Sequence, residues 1–157
     1  MSTAVKDAVV TLLVADTALV GVLTANPADG TKPAIFPARR NTGSTVYPSL
    51  VYRVSTVTDD NRFREPLPRA PGASRTTVAM QDYFVDFSAF DNQPSSDNVE
   101  AVGDRLRALF HQVAFSVTGG RVFYSRCVSG TPDGFDNVDN VWVLVARYRM
   151  RVQWSAP

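Results

Sequence analysis

The chain has 157 residues, 45% hydrophobic and 20% charged, with a formal net charge of +1. This is the size of one ordinary globular domain, spanning 1–157, able to bury about two-thirds of its unfolded surface. The near-neutral balance gives no whole-molecule attraction to nucleic acid, a membrane surface or an acidic substrate. No apolar run approaches the roughly 20 residues of a membrane span. The single Cys127 forms no internal disulfide, which fits a reducing compartment such as a cytoplasm.

Val5, Val9, Leu12 and Leu13 recur at helical spacing after Ser2 and Thr3, so the N-terminal stretch reads as an amphipathic helix. A signal sequence fits less well, because Asp7 and Asp16 interrupt the apolar run and Lys6 is its whole basic region. Asp16 can cap a short continuation, Thr17 to Leu23, that ends at Asn26-Pro27. "AIFP", Ala34 to Pro37, is too short to be more than an edge strand, with Pro37 blocking its extension. In "YPSLVYRVSTV" Leu50, Tyr52 and Val54 share one face of a strand; Ser49, Val51, Arg53 and Ser55 share the other. Next comes "TDDNRFREPLPRAPGASRT", with three prolines, four arginines and no usable period. Connections longer than about 12–15 residues are uncommon in compact domains, so 58–77 is expected to form one long projecting loop.

"QDYFVDFSAF" alternates cleanly. Tyr83, Val85, Phe87 and Ala89 point one way, and Asp82, Asp86 and Ser88 the other, with Phe84 the one apolar residue among them. After a break at Asn92-Gln93-Pro94, Ser96 or Asp97 can cap a second helix, with Glu100 at capping-box distance from Asp97. Val99, Val102, Leu106, Leu109 and Phe110 trace its apolar face, and Glu100, Asp104, Arg105 and Arg107 lie largely away from it. "RVFYSRCV" reads as a strand ending at Ser129-Gly130, with "TPDGFDNVDN" as the turn into "VWVLVARYRMRVQW". In that last strand the even positions from Trp142 to Trp154 are apolar, while Arg147, Arg149 and Arg151 form a row on the other face. The order α-β-β-α-β-β predicts an α+β fold, an antiparallel sheet of about four strands packed against two helices.

The candidate chemistry is sparse. Asp82 and Asp86 lie about 13 Å apart along a strand, too far to share a bond-breaking site, since paired glycosidase carboxylates sit about 5–9.5 Å apart. If their strand lies beside the last one, Arg147, Arg149 and Arg151 are natural cross-strand partners. Both a salt-bridged sheet face and an intersubunit surface fit this pattern. No second histidine accompanies His111 and Cys127 is the only thiol, so a zinc site or a Cys–His nucleophile pair is hard to build, and His111 suits a helix C-terminus. Asp133, Asp136 and Asp139 fit a polar hairpin loop better than a calcium loop, whose spacing and closing Glu are missing. Gly119-Gly120 precedes a strand and makes a turn, not a phosphate cradle. No Walker, Rossmann or G-x-S-x-G motif occurs, so no enzyme, cofactor or metal is expected. Arg62, Arg64, Arg69 and Arg75 are the local feature that could touch nucleic acid. Asp59, Asp60 and Glu65 nearly cancel them, which favours a solvated loop or one ordered by protein contact.

Three stretches taken together, "YPSLVYRVST", "YFVDFSAFDNQPSSDNVEAVGDRLRALF" and "VWVLVARYRMRVQ", resemble the tail terminator (tail completion) proteins of long-tailed bacteriophages, minor tail protein U type. The "D-x-A-L" segment is matched by Asp16, Ala18 and Leu19, the "I-F-P" by Ile35, Phe36 and Pro37, and the "P-x-[IL]-V-Y" strand by Pro48, Leu50, Val51 and Tyr52. The resemblance covers about 5–153 and rests on fold patterns, not catalytic signatures. It implies a virion subunit that forms a homohexameric ring at the head-proximal end of the tail tube, at the tail–neck junction, after assembly in the host cytoplasm. Its partners would be the tail tube protein and a head-closure protein, with DNA only passing through the lumen. On this resemblance Asp82, Asp86, Arg147, Arg149 and Arg151 are expected at sheet or subunit contacts, and Arg62, Arg64, Arg69 and Arg75 at tube or neck contacts. Rival readings are a head-closure protein, a tail tube subunit and, more distantly, a small α+β enzyme or regulatory domain.

Overall fold

The structure is a computed structural model and describes residues 2–38, 46–57 and 79–154. The helices are α1 (Ser2–Ala15), α2 (Thr17–Val22) and α3 (Asp97–Phe110). The strands are β1 (Ala25–Asn26), β2 (Asp29–Pro33), β3 (Ile35–Pro37), β4 (Ser49–Thr56), β5 (Ala79–Asp91), β6 (Phe115–Val117), β7 (Gly120–Asp136) and β8 (Val141–Trp154). Six of them form one sheet in the order β3-β4-β5-β8-β7-β6, and β1 and β2 make a separate two-stranded ribbon. All pairings in the large sheet are antiparallel except β3 with β4, which is parallel.

This overturns the expected α+β fold of about four antiparallel strands on two helices. The chain is predominantly sheet, its main sheet is mixed, and the helices are few. The reason lies in the short elements. β1, β3 and β6 are two or three residues long and cannot display a period of two. The direction of β3 is likewise invisible to local patterning, because it depends on how the chain returns to β4. The last hairpin also differs from expectation. β7 runs on through "TPDGFD" to Asp136, and the turn is confined to residues 137–140. There Asp136 Oδ1 accepts from the Val138 N–H at 2.9 Å, and Asn140 adopts φ 53°.

One apolar layer lies between the sheet and the helices. Val5, Val9 and Leu13 of α1 and Val99, Val102, Leu106 and Phe110 of α3 meet Leu50, Tyr83, Val85, Phe87, Tyr148, Met150 and Val152 from the strands. Their periods, 3.6 on the helices and 2 on the strands, place each set on a single face. Phe110 is its aromatic centre, stacked on Phe87 at 5.2 Å and edge-on to Tyr148 at 6.0 Å. Asp16 caps α2 by accepting from the Leu19 N–H at 2.7 Å and also holds Arg105 of α3. Ser96 caps α3 without a side-chain bond to the backbone; its hydroxyl donates to Glu100 Oε1 at 2.5 Å instead. Among the described residues no helix is long and apolar enough to cross a membrane.

The β6–β7 turn is the tightest glycine position. Gly119 takes φ +78°, a left-handed conformation that glycine enters without steric cost, and a Cβ on Gly120 would stand 2.5 Å from the Gln153 carbonyl oxygen. Gly120→Ala is therefore expected to lower stability by about 1–3 kcal/mol in chemical denaturation. Gly30→Ala, where nothing lies within 4 Å, should stay within about 0.5 kcal/mol of the parent.

Candidate functional site

The helices cover one face of the large sheet, and the polar side chains gather on the other. Cross-strand register builds this outer face in rows. Asp82, Arg151 and Tyr124 form one row; Ser55, Phe84, Arg149 and Arg126 the next; Arg53, Asp86, Arg147 and Ser129 a third. The alternation of β5 and β8 puts these residues opposite the core set, and pairing of the two strands brings carboxylates to guanidiniums.

Asp82, Asp86, Arg147, Arg149 and Arg151 are thus brought together. Arg151 Nε donates to Asp82 Oδ1 at 2.7 Å and its Nη2 to Oδ2 at 2.9 Å. Arg149 also donates to Asp82 Oδ2, from Nε at 2.8 Å and from Nη2. Arg147 makes a two-pronged contact with Asp86 and lies 5.3 Å from the centre of the Phe84 ring. The two aspartates differ in one decisive respect. The Asp82 side chain is only 2% exposed, enclosed by the arginines, whereas Asp86 is 25% exposed. Alternation puts both on the face opposite the core; the stems of Arg149 and Arg151 remove Asp82 from water.

Burial alone would raise the Asp82 pKa, but hydrogen bonds from Arg151 and Arg149 outweigh it and hold the carboxyl below its ordinary value. Asp16 is likewise lowered, chiefly by the Arg105 hydrogen bond. A depressed folded-state pKa contributes stability that is present above the unfolded value, near 4, and lost as pH falls through the folded value. Melting temperature should therefore show no pH dependence from these two groups between pH 7 and about 5, then fall below about pH 4. Asp82→Asn should flatten that acid limb when melting is followed by circular dichroism across pH.

Beside this network lies an open depression of about 360 Å³ lined by Phe123, Tyr124, Arg126, Val128, Arg149 and Arg151. Two β-bulges create it. Register shifts between Val122 and Tyr124 and between Cys127 and Ser129 each add a residue to β7, turning Phe123 and Val128 outward. Phe123 and Tyr124 are each 40% exposed. Sequence reading missed this set. Tyr124 and Arg126 have the i, i+2 spacing of one strand face, but the bulges that add Phe123 and Val128 leave no mark in a period count.

The remaining expected features fall into structural roles or outside the description. Arg62, Arg64, Arg69 and Arg75, with the rest of the 58–77 loop, lie outside the described residues. His111 caps the C-terminus of α3, and its Nδ1 accepts from the Cys127 N–H at 3.3 Å. Asp136 serves the β7–β8 turn described above.

Comparison with known proteins yields fold-level likeness. No protein-family profile matches the chain, and no curated protein matches it. Among solved structures, it is similar to a chain in "Virion of native gene transfer agent (GTA) particle". The two superpose with a TM-score of 0.58 at 14% identity, over 92% of this chain and 91% of that one, so they share a fold across nearly their whole lengths.

Proposed function

We propose that this protein is a structural subunit of a phage-like virion, and specifically a tail terminator. It forms a ring, on the family resemblance a hexamer, at the head-proximal end of the tail tube. The ring ends tube growth and joins the tail to the head-completion complex. The observation that carries the virion reading is the shared fold with a chain of a virion particle over 92% of this chain. The terminator role rests on the sequence resemblance through "YPSLVYRVST" and its companion stretches.

The outer sheet face supports a role in contact more than in catalysis. Its carboxylates are engaged by guanidiniums, and charged faces of this kind set register and partner choice between surfaces. The proposed partners are further copies of the chain, the tail tube protein and a head-closure protein, with DNA passing through the lumen. Arg147, Arg149 and Arg151, backed by Asp82 and Asp86, belong to the subunit contacts, and the arginines of 58–77 to tube or neck contacts. The direct test is to add the purified chain to polymerising tube subunits of the same particle. Shorter tubes, capped at one end, support termination. Self-assembly of the chain into long tubes would make it a tube subunit instead. Deleting residues 60–74 without loss of tail attachment would show that the loop makes no tube or neck contact.

A further inference from the structure

Arg126 differs from Arg147, Arg149 and Arg151 of the outer face, which are all held by carboxylates. It stands directly across from Arg149, on an exposed sheet face, and meets no carboxylate among the described residues. Like charges placed opposite each other across two strands are destabilising unless an anion joins them. Around it Phe123, Tyr124 and Val128 are 39–40% exposed, giving the depression apolar walls that a partner would cover.

The same chain carries a complementary surface. Asp97, Glu100 and Asp104 lie at i, i+3 and i+7 on α3, all exposed, on a stripe about 10.5 Å long. Asp97 and Glu100 accept only from the hydroxyls of Ser95 and Ser96, and none of the three meets a cation among the described residues. Acids in the first turn are accounted for by the helix dipole, which falls off within that turn. Asp104 lies beyond it, so the dipole does not explain the continuation of the stripe. The arginine row from Arg147 to Arg151 extends about 13 Å, a matching length.

We infer that the depression around Arg126 receives the acidic stripe of α3 from a second copy of the chain. The two surfaces lie on opposite sides of the molecule, one on the outer sheet face and the other on a helix that covers the inner face. A pair of copies therefore cannot exchange both contacts with each other. Each copy uses one surface toward each of two neighbours, a head-to-tail contact that closes into a ring or runs on as a chain. This inference rests on the ring reading and assigns its contact.

The test uses charge reversal at exposed positions, read by sedimentation velocity over a concentration series, with melting temperature confirming the fold. Arg126→Glu and Asp104→Lys should each weaken self-association at least about tenfold. The double variant, and an equimolar mixture of the two single variants, should recover association to within about threefold of the parent. Glu100→Lys supplies a second acidic-side variant. Oligomers unaffected by any reversal would overturn this contact while leaving the ring reading intact. A parent chain that stays monomeric throughout would overturn both. Unchanged self-association in Arg126→Glu, together with lost binding to a 20-bp DNA duplex, would overturn the contact and assign the depression to a polyanion.

Discussion

Replacing Phe110 with alanine is expected to lower stability by about 3–5 kcal/mol, the usual cost of emptying a large buried aromatic site. The side chain is fully buried, stacked on Phe87 and edge-on to both Tyr148 and Phe115. Its ring partners are set in β5, β6 and β8. Its carbonyl also accepts from the buried Ser125 hydroxyl at 2.5 Å, so the end of α3 is tied to β7 at the same residue. In a domain of this size each kcal/mol shifts the midpoint by about 2–4 °C, which gives a fall on the order of 10 °C or more. Phe110→Leu, which keeps most of the volume, should cost less than about 1.5 kcal/mol. A result near zero for the alanine variant, read by thermal or urea unfolding, would show that α3 is not held on the sheet as described.

The second large effect is expected at Asp82. Removing one partner from a buried ion pair commonly costs about 3–5 kcal/mol, because a charge is left uncompensated. Here the two arginine side chains are 40% and 33% exposed, so their guanidiniums can turn to water and the cost is discounted. Asp82→Ala should thus lose about 2–3 kcal/mol. Asp86→Ala should lose under about 1 kcal/mol, since its Arg147 partner is 48% exposed and the pair is largely solvated. Equal losses at the two positions would contradict the description of Asp82 as the enclosed anchor of the arginine row.

These two residues also mark what the sequence made legible. Phe110 was placed on the apolar face of its helix by spacing alone, and alternation in β5 and β8 placed the arginine row opposite the core. The pairing of Asp82 and Asp86 with that row follows from the two strands being neighbours. The difference in burial between the aspartates did not follow, because it depends on where two long arginine stems lie. The parallel strand β3 and the two-residue β1 are too short to carry a pattern. The bulges of β7 break the period that would have revealed Phe123, Arg126 and Val128 as one surface. Those bulges also serve a purpose beyond the depression. Over residues 123–136 β7 has β8 on one side and no described strand on the other, and bulges twist such an edge away from unwanted pairing.

The proposed function has this fold act by assembling into a ring. It is tested most directly by the mass of the purified chain in solution, from size-exclusion chromatography with light scattering across a concentration series, with negative-stain imaging of the largest species. Closed rings of about six copies that do not lengthen as concentration rises are expected. Open tubes that grow with concentration, or a monomer at every concentration tested, would contradict it.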